Sequence, residues 1–364
     1  MNIIHKKLID HINQNPEGIS LDQFIEICLF EKNGYYRNNQ PIGKCADFTT
    51  APEISQLFGE ILGLYIYDLW YKHFQCKLNL VELGPGKGTL VADILRINNN
   101  FKSFLNSINL NLIEINKELI KLQKKILSKM QVNINKIQWS DNFDSIKQKP
   151  SIIFANEFFD CFAIKQFIKI NQKWYEKKIN FNKKEDRFFI HNTILNNISL
   201  SKKLNKLANR NGYNENQVIE ISNTREEYFN KICKFIRKNS GIAIVIDYGY
   251  LLPINYSTLQ SVKLHRTTNI LDNPGNQDIT SLVNFQDLVE IAKKNNLNIC
   301  GPVTQQEFLK RNGIEERKKK ILFKASEKQK HIIEKEYKRL IAQDQMGDIF
   351  KCLVVSTYKL SDGQ

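Results

Sequence analysis

Apolar residues along this chain fall into two regimes. Before about residue 75 they recur at helical spacing: Ile3-Ile4, Leu8-Ile9 and Ile12 share one face, and Leu21 to Phe30 forms a second amphipathic stretch after the turn Pro16-Glu17-Gly18. Thr50-Ala51-Pro52-Glu53 reads as a capping box with proline in the first turn. It opens a long helix through Ile54, Phe58, Ile61-Leu62 and Leu64-Tyr65. From residue 78 short apolar runs alternate with amphipathic stretches, which predicts a parallel sheet with crossover helices. Strands are expected near 78–83, 109–115, 134–139, 151–155, 241–247 and 297–301, with a closing strand at 349–358 suited to an antiparallel edge.

Two segments interrupt the alternation. Residues 166–221 carry aromatic and β-branched residues with turns between them, the pattern of a small antiparallel meander. Residues 249–284 are rich in turn formers (Pro253, Asn273-Pro274-Gly275-Asn276) and read as a long loop. The expected organisation is a helical extension over 1–75 and an α/β core over 76–360, with those two insertions. Both insertions follow the carboxyl ends of strands, where ligand crevices lie, so both are candidate substrate walls.

The strand Leu78–Leu83 runs into Gly84-Pro85-Gly86-Lys87-Gly88 and then a helical pattern from Thr89. Glycines there allow a tight turn and bring bare backbone to a ligand. A phosphate-binding loop would need glycine at Val81 and Ser or Thr at Gly88, and a dinucleotide fingerprint would need Gly or Ala at Thr89. What remains is E-x-G-x-G-x-G, with Glu82 as its acid, a form common in S-adenosylmethionine (SAM) methyltransferases. Glu82, Gly84, Pro85, Gly86 and Gly88 are therefore candidate cofactor-binding residues.

Composition changes the picture little. The chain has 364 residues and a formal net charge of +15, but its lysines form no single stripe, so charge alone does not point to nucleic acid. Seven scattered cysteines without a C-x-x-C pair argue against a disulfide framework and a zinc site. No apolar run approaches the ~18 residues of a membrane span, and the N-terminus shows no signal or transit pattern. A bacterial cytoplasmic location is the expectation.

Positions just past the strands give Glu82, Glu114, Asp141, Asn156-Glu157, Asp160 and Asp247. So many acids in a basic protein suit a cationic ligand such as a sulfonium. Glu114 ends the second core strand, where an acid accepts from ribose hydroxyls, and Asp141 is placed for the adenine amino group. Trp139 either stacks on that ring or belongs to the core. Asn156-Glu157-Phe158-Phe159-Asp160 is where an acceptor should meet the methyl group, and carboxylates suit a planar guanidinium. Asn156, Glu157 and Asp160 are the candidate catalytic residues. If the segment is helical, Glu157 and Asp160 share a face; alternatively they only face the dipole of a helix start.

Several segments, in order, resemble the MidA-like family of class I SAM-dependent methyltransferases: Gly34-Tyr35-Tyr36, Asp47 through Ser55, Phe58-Gly59-Glu60, Glu82 through Gly88, and Asn156 through Asp160. Asp247-Tyr248-Gly249, Pro274-Gly275 with Asp278-Ile279-Thr280, Thr304-Gln305 with Phe308-Leu309, and Met346-Gly347 with Phe350-Lys351 continue the match. The resemblance implies a Rossmann-like, mostly parallel sheet with an antiparallel last strand, and SAM as cofactor. Mitochondrial members are complex I assembly factors that methylate an arginine of a core subunit, so a protein arginine N-methyltransferase acting on a respiratory complex I subunit is implied. Ala46 replaces a family glycine. Gln166 stands where better-known arginine methyltransferases carry a second glutamate, so Asp160, Glu220, Asp247 or His265 would have to complete a guanidinium site. A methyltransferase for RNA or a small molecule, and an assembly chaperone that binds SAM structurally, are the competing readings.

Overall fold

Successive side chains of a strand point to opposite faces of its sheet, and in the central sheet of this protein both faces are covered. The structure, a computed structural model, describes residues 3–38, 50–130 and 137–360. Its strands are, in chain order, β1 (Ile19–Ser20), β2 (Leu78–Leu83), β3 (Ile108–Ile113), β4 (Gln138–Ser140), β5 (Ser151–Asn156), β6 (Lys165–Ile170), β7 (Lys173–Asn182) and β8 (Arg187–Ile194). They continue as β9 (Val218–Ile221), β10 (Gly241–Tyr250), β11 (Gln260–Lys263), β12 (Arg266–Thr268), β13 (Asp278–Thr280), β14 (Val283–Asn284), β15 (Asn298–Thr304) and β16 (Phe350–Ser356).

The central sheet has the order β15-β16-β10-β5-β2-β3-β4. The run from β10 to β4 is parallel, β16 lies antiparallel to β10, and β15 antiparallel to β16. This is the α/β arrangement of a class I methyltransferase sheet. Leu80, Leu112, Phe154 and Ile244 pack on one face with the helices Gln56–His73 and Thr89–Ile97. Val81, Ile113, Ile153 and Val245 pack on the other with Asn223–Asn239 and Phe285–Lys294. Burial on both faces is why these strands read as continuous apolar runs.

Four local expectations differ from what forms. The helix opened by Thr50 stops after Ala51–Ile54, because Ser55 is extended and its hydroxyl caps a new helix, Gln56–His73, by accepting from Leu57 N–H. Thr50 makes no side-chain cap bond. The insertion at 166–221 is not all meander: a helix, Ile198–Asn211, seats Leu204 and Ala208 against Phe167, Trp174 and Ile219. Within 249–284 the chain forms a three-stranded sheet, β12-β11-β13, and β14 extends the end of β10. The N-terminal extension is not purely helical either, since β1 pairs with β7 (Ile19 opposite Ile179) and ties the first two helices to the inserted sheet. The segment 41–49, including Ala46 and Asp47–Thr49 of the family resemblance, and residues 134–136 of the expected third strand lie outside the described residues.

Among the described residues no helix is long and apolar enough to cross a membrane.

Candidate active site

The sheet changes direction between β2 and β5, whose further neighbours run away on opposite sides, and such a switch leaves a crevice past the strands' carboxyl ends. A cavity of about 350 Å³ occupies that crevice. It is lined by Glu82, Gly84, Pro85 and Gly86 from the β2 turn, by Glu114 after β3 and by Asp141 after β4. Asn156, Glu157 and Asp160 line it from the end of β5 and the turn beyond. Gly88 does not line it. It caps the helix Thr89–Ile97 with φ +85° and stands so near Gln123 that a Cβ would meet its Cγ at 3.1 Å.

The N-terminal part of the chain closes one side. Phe30, Tyr36, Arg37, Pro52 and Glu53 line the same cavity. The Glu53 carboxylate accepts from the Thr89 hydroxyl and, at 3.4 Å, from Lys87 Nζ, so the acid expected to complete a capping box instead fastens this segment to the glycine-rich turn. Ala51 N–H donates to Glu157 Oε1 at 3.0 Å.

Glu114 is buried, accepting from Asn116 N–H (2.9 Å) and Gln123 Nε2 (3.3 Å). Burial pushes its carboxyl up to about 7. Gln123 also donates to the Gly86 carbonyl and accepts from Trp139 Nε1. Trp139 is thus engaged behind the wall, packs against the core and does not line the cavity. Glu82 is buried with Oε2 unpaired among the described residues, and burial together with the Glu114 charge raises its carboxyl to about 8.

The stretch Asn156–Asp160 is a turn, not a helix start. Glu157 adopts φ +51°, a conformation that costs a non-glycine residue about 1–3 kcal/mol and gathers at functional sites. Burial raises its carboxyl to about 7. Its Oε1 accepts from Ala51 N–H and Asn156 Nδ2, while Oε2 takes no hydrogen bond among the described residues. Asn156 Oδ1 is likewise unpaired among the described residues. Burial raises the Asp160 carboxyl too, against the opposing pull of the nearby Tyr248 hydroxyl and Arg225.

The turn is held from behind. Asp247 is fully buried, with Oδ2 accepting from Phe158 and Phe159 N–H (3.1 and 2.8 Å) and Oδ1 from Tyr248 N–H. Its oxygens are therefore committed to backbone. Arg225 donates from Nε to the Phe159 carbonyl (2.7 Å), from Nη2 to Ser281 Oγ (2.8 Å) and from Nη1 to the Leu282 carbonyl (3.4 Å). Glu220 accepts from Gln166 and Thr258 in the inserted region, and neither it nor Gln166 nor His265 lines the cavity. Of the four acids and bases open to complete a guanidinium site, only Asp160 is at the cavity wall. Gln123 and Arg225 escaped the sequence reading, although each is a polar residue on an apolar helical stripe: Leu119-Gln123-Leu127 and Arg225-Phe229-Ile232.

Residues 61–303 match the family described as "Putative S-adenosyl-L-methionine-dependent methyltransferase". The chain is 32% identical over 353 residues to the mitochondrial protein arginine methyltransferase NDUFAF7 of Xenopus tropicalis, covering 90% of this chain and 79% of that one. It belongs to this family. The methyltransferase is also 29% identical to NDUFAF7 of Danio rerio, over 98% of this chain and 89% of the relative. A crystal structure from Burkholderia thailandensis, bound to S-adenosyl-homocysteine, superposes with a TM-score of 0.83 over 97% of this chain and 91% of that one. At 20% identity that likeness speaks for the fold.

The site suits the family's cofactor. Gly84 and Gly86 have φ of +62° and +54°, which turns bare backbone along the cavity. Seven carboxyl groups line it (Glu26, Glu53, Glu82, Glu114, Asp141, Glu157, Asp160) against two basic side chains, Arg37 and Lys87. That balance disfavours a phosphate-rich ligand and suits a sulfonium. Glu82 Oε2 and Asn156 Oδ1 supply acceptors that nothing in the described protein uses. The enzyme is a MidA-like, SAM-dependent class I methyltransferase.

Proposed function

We propose that this methyltransferase acts on an arginine side chain of a protein, a respiratory complex I subunit or a similar partner. The observation that carries the reading is the pair Glu157 and Asp160 at the cavity wall, neither of them ion-paired by the described protein. Two carboxyls at one site match a planar cation that presents parallel N–H bonds. The arginine methyltransferase names of the relatives support it. Cysteines that form no disulfide among the described residues, Cys28, Cys161, Cys233 and Cys352 among them, support action in a reducing compartment such as a bacterial cytoplasm.

In this reading Glu114 takes the ribose hydroxyls and Asp141 the adenine amino group, while Glu82 and the turn Gly84-Pro85-Gly86 hold the methionine moiety. SAM supplies a methyl group on a sulfonium, already activated for transfer. The chain's own task is positioning. Glu157 Oε2 and the Asp160 carboxyl, with Asn156 Oδ1 beside them, accept N–H bonds from the guanidinium and orient one nitrogen toward the methyl. The guanidinium is a cation before and after methylation, so one proton must leave the nitrogen. Glu157 Oε2 receives it, and a carboxyl titrating near 7 is matched to that role.

The test is quantitative proteomics of cells with and without the gene, searching for methylation that disappears. Loss of methyl-arginine on one respiratory subunit is the expected result. A lost methyl group on lysine, RNA or a small metabolite overturns the proposal.

A further inference from the structure

Beside the active site runs a second, larger depression of about 1010 Å³. One wall is the short helix Ala51–Ile54 with the start of Gln56–His73, and the other is the helical pair Ile314–Phe323 and Glu327–Ile341. Pro52 and Glu53 line both this groove and the cofactor cavity, so the two are separated by a wall one residue pair thick. The walls are braced together. Buried Glu60 accepts from Arg317 Nε (2.7 Å) and Nη2 (3.1 Å), and Lys318 pairs with Glu334 at 3.3 Å across the helical pair.

The groove carries more apolar surface than a solvated helix pair needs. Phe323 is 90% exposed and Ile332 47%, with Ile321 and Ile333 partly covered beside them. Around them stand Lys319, Lys320 and Lys324, which are exposed and form no ion pair among the described residues. An apolar floor with a cationic rim, next to a site that is itself acidic, fits a partner of alternating character. The partner should present apolar side chains to the floor and acids to the rim.

We propose that this groove docks the segment of the acceptor protein that flanks the methylated arginine, and that this segment is apolar and acidic. The inference rests on the reading of the acceptor as a protein arginine. Because the groove and the cavity share Pro52 and Glu53, a chain lying in the groove delivers a neighbouring side chain to the Glu157 turn. The acidic cavity then selects the arginine and the basic rim selects its surroundings, which a lysine-rich or nucleic acid partner cannot satisfy together.

The test uses the full-length enzyme saturated with S-adenosylhomocysteine and two fluorescein-labelled peptides. Each has a central arginine between leucines, and they differ only in carrying glutamates or lysines as flanking charges. Anisotropy should show the acidic peptide binding about tenfold more tightly, the sum of a few exposed ion pairs. The triple variant Lys319→Glu, Lys320→Glu, Lys324→Glu should reverse the preference while leaving S-adenosylhomocysteine affinity unchanged, which also shows that it is folded. Equal binding of the two peptides, or a preference untouched in the variant, overturns the groove. So does a concentration-dependent dimer of the enzyme that the variant abolishes, because a second copy of the chain would then be the occupant. With SAM supplied, an acidic peptide that binds but gains no methyl group on arginine refutes the acceptor reading and leaves the groove standing.

Discussion

Gly84 and Phe158 meet face to face: a Cβ built on Gly84 would stand 2.9 Å from Phe158 Cδ2. One residue belongs to the turn that follows β2 and the other to the turn that follows β5. The contact joins the proposed cofactor and acceptor halves of the site, so neither turn can shift without the other.

Substituting Gly84→Ala should therefore damage both halves. The φ of +62° alone costs an alanine about 1–2 kcal/mol, and the new methyl group pushes on the Phe158 ring. Calorimetry should show weaker S-adenosylhomocysteine binding, and Phe158→Leu in the same chain should recover part of the loss. Strictly additive effects of the two substitutions would mean the turns are independent.

Glu157→Gln and Asp160→Asn preserve shape and remove charge. Losing one hydrogen bond to a charged group costs about 1.5–3 kcal/mol, or roughly ten- to a hundredfold in kcat/KM for an arginine peptide. Affinity for S-adenosylhomocysteine should change far less. Full activity of both variants would reduce this turn to scaffold.

The rate should also follow the Glu157 proton. Its carboxyl is raised to about 7, so below that pH it is neutral and cannot take the acceptor's proton. kcat/KM should rise about tenfold per pH unit up to that value and level off above it. The Glu157→Gln variant should lose the rise. A wild-type profile that is flat from acid to neutral pH places the proton elsewhere.

Stability of the cofactor-free enzyme should run the other way. Glu82 and Glu114 are raised from 4.5 to about 8 and about 7 by burial. The folded state then holds protons that the unfolded chain releases, so their contribution is complete below about 4.5 and fades as pH rises through 7 and 8. Thermal melts should fall across that window, and Glu82→Gln should flatten the slope. A Tm that climbs between pH 6 and 8 would contradict both assignments.

The central sheet was legible because its inner parallel strands β2, β3, β5 and β10 bury apolar residues on both faces, and the glycine turn because three positive φ angles leave few alternatives. The acids past the strand ends could be named for the same reason: strand ends are fixed once strands are. Tertiary partners were not legible. Glu53 sits at capping-box spacing from Thr50, yet it bonds Thr89, 36 residues away. Asp247 was expected at a strand end like the other acids, but β10 runs on to Tyr250, and only the folded turn of Phe158 and Phe159 shows that its oxygens serve the backbone. The helix Ile198–Asn211 was hidden among β-branched neighbours, since its buried face is only Leu204 and Ala208.

Arg225 has one more consequence. The enzyme keeps an arginine of its own close enough to ease the charge of Asp160, in a site read as choosing arginines. All three guanidinium nitrogens are given to the Phe159 and Leu282 carbonyls and the Ser281 hydroxyl, and the side chain is buried beneath the turn. A methyl acceptor must arrive with a nitrogen free to turn toward the donor, and this one has none. Self and substrate are told apart here by prior engagement: the same chemical group is a tool of the catalyst when each of its nitrogens is held and a target when one is free.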